Sequence, residues 1–169
     1  MPAKQKVVND IIVYLENVLE VPREEFGGLP ACPFAKAERV SKNLLIDIFD
    51  PGKDDFVSTV KQMESDGYRS GLFALFQDQI PVEISESDTK KLQVFFNKTL
   101  RLSGNKKYKT ICFNPNDKQD VGGFNPRSFA PYFLVNVAER EILNKAHKDL
   151  TRTKYFDNLH EKYRRFLKL

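Results

Sequence analysis

With 169 residues, 41% apolar content and 14 phenylalanines, the chain is long enough to form one domain that buries a core without disulfides or a structural metal. It has no run of about 18 apolar residues, which argues against a membrane-spanning helix, and its two cysteines and two histidines are too scattered for a recognised zinc spacing. The net charge of +4 is uneven: from Asn144 to Leu169 eight Lys/Arg face three acids, a net +5, so the rest of the chain stands near −1 and the basic character belongs to the tail.

Val7, Val8, Ile11, Ile12, Leu15, Val18 and Leu19 recur at helical spacing and predict an amphipathic helix over about 4–20. Pro22 ends it. The polar start, Met1 to Lys6, does not resemble a signal peptide. Two cysteines without a signal point to a reducing compartment, a cytoplasmic location and free thiols. Residues 22–37 hold three prolines and two glycines and are expected to form a loop packed through Phe26, Leu29 and Phe34.

Val40 to Asp50 is expected to be a strand, and Leu44 to Phe49 is apolar enough for a central one. Asp50-Pro51-Gly52 breaks it. Phe56, Val60 and Met63 mark a helix face, with Asp54 and Asp55 in its favourable first turn and Gly67 as its stop. Gly71 to Gln77 is a second buried strand. Ser85-Glu86-Ser87-Asp88 resembles a capping signal for a helix that carries Leu92, Phe95, Phe96, Thr99 and Leu102. Tyr108 to Phe113 is a third strand.

Residues 114–129 form a long irregular segment, the kind that is functional or mobile inside a domain. Two C-terminal helices are expected, from about Pro131 to Lys148 and over about 152–167. The order predicts an α/β or α+β fold, with a small three- to four-stranded sheet flanked by helices. It is a single domain, 1–169, with a C-terminal helical extension at about 150–169. A ferredoxin-like arrangement with an antiparallel edge is the alternative to parallel pairing.

Two loops are candidates for chemistry, because a rigid sheet positions the loops at its strand ends. The first, residues 27–39, holds Cys32 between Pro30 and Pro33, followed by Lys36 and Arg39. A reactive thiol needs nearby cations or a helix N-terminus to lower its pKa. The plain alternative is a small buried residue that pins the loop. Cys112, mid-strand between Ile111 and Phe113, is expected to be structural. The second loop begins after the third strand, where ligand sites of α/β sheets usually sit. There Arg127 and Ser128 precede a helix start and could hold an anion; otherwise Ser128 is a cap and Arg127 is solvated or paired. Asn114, Asn116 and Asp117 suit Asx-turns. His147 and His160 lack ligand-spaced partners and are ordinary polar positions.

Cys32-Pro33-Phe34-Ala35, together with Phe113-Asn114-Pro115 and Asn125-Pro126-Arg127-Ser128-Phe129-Ala130-Pro131, resembles a bacterial domain family of unknown function. Its members carry Cys-Pro-Phe-Ala after a first amphipathic helix. After a late strand they carry Phe-His-Pro and then an Asn-Arg-Ser-Pro-Tyr-Pro segment leading into a helix. Here Asn114 replaces the histidine and the second motif has an inserted proline. The resemblance implies a site at these loops and no particular reaction.

The expected function is therefore to bind, and potentially convert, a small anionic metabolite between the 27–39 and 114–128 loops. Cys32 is the candidate catalytic thiol. Lys36, Arg39, Asn114, Asp117, Asn125, Arg127 and Ser128 are the candidate ligand-binding residues, with no metal and no identifiable cofactor. The alternative is a nucleic-acid or protein interaction module built on the basic C-terminal helices, where Tyr155, Phe156, Tyr163 and Phe166 interleave with the charges. A homodimer through the Phe-rich helix faces is compatible with either, and no membrane partner is expected.

Overall fold

Ser70 to Gln77 is apolar on both faces because both faces are covered by helices, whereas Leu44 to Phe49, which carries Asp47 and is mostly half-buried, lies at the edge of the sheet. The computed structural model describes residues 4–159 together with 161 and 165. β3 (Leu44–Phe49) and β4 (Ser70–Gln77) pair in parallel, with Leu44 opposite Ser70 and Phe49 opposite Leu75. α3 (Phe56–Ser65) connects them, capped by the Asp55 carboxylate, which accepts from Ser58 N at 2.8 Å. α4 (Glu86–Leu102) leads to β6 (Tyr108–Phe113). β7 (Leu134–Glu139) lies between β4 and β6 and runs antiparallel to both. The order is β3-β4-β7-β6, with β5 (Ile80–Pro81) adding a short hairpin to β4. Asp78 and Gln79, with φ of 48° and 70°, give that hairpin a turn left-handed at both central positions, the hand that matches strand twist.

The α/β class and flanking helices agree with expectation, and several elements differ. β3, apolar enough to be expected in the centre, is the edge strand, its apolar side chains covered by the first helix, Lys4–Tyr14, and by the α3 face. The helix expected from Pro131 is strand β7 first, then α5 (Arg140–Leu150). A short apolar run does not distinguish a buried strand from a buried helix, and here two ladders are open to it. Residues 35–40 form a short helix, α2 (Ala35–Val40), so Val40 ends a helix instead of starting a strand. Within the expected 152–167 helix, residues 151–159 form turns, 161 and 165 are helical, and the rest lies outside the described residues. The 22–37 loop also contains a two-stranded hairpin, β1 (Pro22–Arg23) with β2 (Leu29–Pro30).

Strand alternation divides the core in two. On one face Phe73, Leu75, Val135, Val137, Tyr108 and Cys112 pack against Phe56, Val60 and Met63 of α3 and Phe96 and Leu100 of α4. Gly71 allows this closeness: a Cβ there would stand 2.5 Å from the Phe73 ring and 2.6 Å from the Met63 sulfur. On the other face Leu72, Ala74, Phe76 and Leu134 meet Val7, Ile11 and Tyr14 of α1 (Lys4–Tyr14). α1 continues into a π-helical turn, Leu15–Leu19, closed by Glu20 N donating to Leu15 O at 2.8 Å.

Candidate functional site

The π turn, the cysteine loop and the 114–129 segment meet on that second face. Cys32 N donates to Leu19 O at 2.9 Å, fastening the loop to the end of the π turn. Tyr14 Oη donates to Pro126 O at 2.9 Å, fastening the same helix to the second loop. Tyr155 Oη donates to Ala31 O and its ring packs 5.2 Å from Phe26, so the C-terminal turns cover the cysteine loop. Gly27 is required there: its φ is 65°, and a Cβ would meet the Lys154 backbone at 2.6 Å.

Two cavities result, meeting at Leu19, Cys32 and Phe113. The larger, about 280 Å³, is bounded by Cys32, Arg127, Gln119, Phe113, Tyr155 and Phe156. The smaller, about 100 Å³, lies between the sheet and the helices, and its walls include Leu15, Cys32, Glu38, Ser70, Asn136 and Ile142. π turns recur at functional positions, and this one contributes Leu15 and Leu19 to cavity walls.

Cys32 is half-buried and free. Burial pushes its thiol pKa up, the Glu20 charge adds to the rise, and the N–H groups of Ala35 and Phe34 oppose it without prevailing. At neutral pH the sulfur therefore keeps its proton. The cations next to it in sequence do not counter this. Arg39 forms a bidentate pair with Glu20, at 2.9 Å from Nε and 2.8 Å from Nη2, and a third contact with Glu16 at 3.0 Å. Lys36 is exposed and borders neither cavity. Tyr14 and Tyr155, both close enough to feel charge on Cys32, are themselves pushed up by burial.

Arg127 reaches the larger cavity held by its own loop. Its Nη1 donates to Asp117 Oδ2 at 2.6 Å, and its guanidinium lies 5.6 Å from the centre of the Phe113 ring. Asn125 accepts from Arg127 N at 3.1 Å and donates its amide to Asp117 O. Asp117 and Asn125 are thus positioning residues for Arg127. Ser128 is exposed and donates to Asn125 O at 2.8 Å; the cap of the short 3-10 turn at Pro126–Phe129 is Asn125. Asn114 is 1% exposed and points away from both cavities, donating to Ile84 O at 2.8 Å and Thr89 Oγ1 at 2.7 Å.

Of the expected set, Cys32 and Arg127 share one cavity, Asp117 and Asn125 hold Arg127 in place, Arg39 ties α2 to Glu16 and Glu20 of the π-turn segment, and Asn114, Lys36 and Ser128 lie outside. Sequence reasoning missed Tyr14, Glu38, Ser70, Asn136 and Tyr155. Asn136 carried a signal, a polar residue inside Leu-Val-Asn-Val-Ala; it donates to Gly71 O at 3.1 Å. Cys112 is buried as expected, and burial pushes its pKa up to about 12.

His147 stacks 5.6 Å from Phe156, and His160 lies outside the described residues. Among the described residues, no three His, Cys, Asp or Glu gather as a metal site, and no helix is long and apolar enough to cross a membrane. In the basic tail, Tyr155 and Phe156 pack inward, Arg165 pairs with Glu161 at 2.5 Å, and Lys162, Arg164 and Lys168 lie outside the described residues. Comparison with family models, with curated proteins and with solved structures finds no match.

Proposed function

We propose that the chain is a small-molecule-binding protein whose ligand carries a carboxylate or phosphate on an apolar body and occupies the larger cavity. The observation that carries this reading is the convergence of Arg127 and Cys32, from loops 95 residues apart in sequence, on one apolar-walled space. A guanidinium has five N–H donors, and Asp117 occupies one of them. The remaining donors can bind an anion through charge-assisted hydrogen bonds, the stronger kind. Phe113, Tyr155 and Phe156 supply the apolar wall.

Binding is favoured over conversion because Cys32 is a protonated thiol, without a free cation or a base at its side. The thiol then serves as a weak donor and soft contact for the ligand. Benzoate and phenyl phosphate are suitable probes. Each should raise the melting temperature of the wild type by mass action and shift Arg127→Ala much less, with Cys32→Ser intermediate. Equal shifts in wild type and Arg127→Ala, or none with any aromatic or aliphatic acid, would remove this reading.

A further inference from the structure

The smaller cavity is built differently from the larger one, and two of its polar side chains have an atom without a partner. Ser70 is 6% exposed, and its Oγ has no hydrogen-bond partner. Glu38 presents a buried Oε2 that also has none. Both residues belong to the cavity wall, with these two oxygens just beneath its surface, and the wall is otherwise mainly leucine, isoleucine, alanine and phenylalanine. Asn136 on the floor commits its amide N–H to Gly71 O. Arg39, the neighbouring cation on α2, is held by Glu16 and Glu20. Among the described residues, no Lys, Arg or His pairs with the Glu38 carboxylate.

A carboxylate oxygen removed from water with no donor is unfavourable, and such a group calls for a partner, whether a water, an ion or a ligand. We propose that this cavity is a second ligand site, distinct from the anion site, that takes a small organic ammonium ion. Turned toward the cavity, Glu38 Oε2 and Ser70 Oγ would accept hydrogen bonds from the ammonium N–H groups, while the hydrocarbon part fills the apolar remainder. An organic anion would be repelled by Glu38, and a neutral alkane would leave the carboxylate unpaired. A volume of 100 Å³ suits a ligand of about five heavy atoms, since a 150 Å³ apolar cavity accepts benzene.

The probe is n-butylammonium chloride, titrated into the full chain by calorimetry and thermal shift at neutral pH and constant ionic strength. Three controls accompany it: n-butanol, sodium butyrate, and tetramethylammonium, which has no N–H. Wild type should bind butylammonium, butanol more weakly, and the other two not at all. Glu38→Gln should weaken butylammonium at least about tenfold, the loss expected for one charge-assisted contact, and leave butanol unchanged. Ser70→Ala should weaken it less, and Arg127→Ala should not weaken it. Without its unpaired charge, Glu38→Gln should also unfold at a higher temperature when no ligand is present. The proposal is overturned if butylammonium fails to bind wild type, if Glu38→Gln binds it equally well, or if tetramethylammonium binds as tightly. Loss of butylammonium binding in Arg127→Ala would overturn the separation of the two sites. Because benzoate and phenyl phosphate report on the larger cavity, either reading can fail while the other stands.

Discussion

The two faces of the sheet are built from similar residues and reach different ends. Under α3 and α4, rings interlock: Phe56 and Phe96 lie 4.4 Å apart and Phe49 stands edge-on to both. Under α1, α2 and α5, the cover is pieced together from a helix, a π turn, a loop helix and C-terminal turns, and it leaves two cavities. Each face has an unpartnered buried hydroxyl, Thr110 on the first and Ser70 on the second. Of these two, Ser70 borders the smaller cavity. An orphan group in packed surroundings is a stability cost; the same group on a cavity wall is a contact in waiting. The first face is filled apart from an open groove of about 640 Å³ at the β3 edge, lined by Leu45, Asp47, Met63 and Phe73, whereas the second holds the two cavities that meet at Cys32.

That contrast can be broken most severely on the packed face. Phe73→Ala should destabilise by about 3–5 kcal/mol in a urea melt, because the Phe73 side chain is 2% exposed and its neighbours cannot collapse freely. A smaller loss there would mean that the face is looser than its packing suggests. On the cavity face, Arg39→Ala should cost about 2 kcal/mol, since it strips charged hydrogen bonds from Glu20, whose side chain is 5% exposed. The same variant should speed alkylation of Cys32 by iodoacetamide, because α2 loses its tie to the π turn. Unchanged alkylation would show that the Cys32–Leu19 backbone bond suffices alone.

Thiol titration gives a third, pH-dependent comparison. Cys112 keeps its proton up to about pH 12 in the folded protein, whereas an unfolded thiol loses it near pH 8.5. Between those values the folded state binds more protons, so its stability falls as pH rises, by at most about 1.4 kcal/mol per pH unit for this group. Below pH 8 the contribution is constant. Cys112→Val should flatten the alkaline slope in denaturant melts taken from pH 8 to 11; an unchanged slope would assign it to the buried tyrosines. The smallest effect is expected from Thr110→Val, which removes the orphan hydroxyl from a filled site and should stabilise by up to about 1 kcal/mol. A loss of stability would mean that the hydroxyl has a partner in solution.

α1, β4 and β6 were legible because their apolar patterns are long or bounded by clear breakers. β7 was not. Leu134, Val135, Val137 and Ala138 satisfy a helical face and a strand equally, and only the open edges of β4 and β6 decide between them. For the candidate site, chain order placed Cys32 and Arg127 on two separate loops, and the fold brings both to one cavity. Arg39 misled because adjacency in sequence says nothing about prior engagement: its carboxylate partners are on the preceding helix and π turn. Asn114 misled in the same way, filling a slot beneath the start of α4. Ser70 and Glu38 were invisible for a more basic reason: an unpartnered group is defined by what its surroundings lack.

The π turn at Leu15–Leu19 also bears on how such a pocket could arise. A π turn places one more residue in a helical turn than α geometry needs. Deleting Asn17 would let ordinary i→i+4 bonding resume without redirecting the residues on either side, because five residues at π pitch and four at α pitch each complete about one turn. What the deletion would remove is the bulge itself. The Leu19 carbonyl, which accepts from Cys32 N, and the Leu19 side chain, which stands in the walls of both cavities, sit at the end of that bulge. The π turn is therefore a local widening of the helix at the point where the cysteine loop is fastened, and the strands, register and aromatic core beneath do not depend on it.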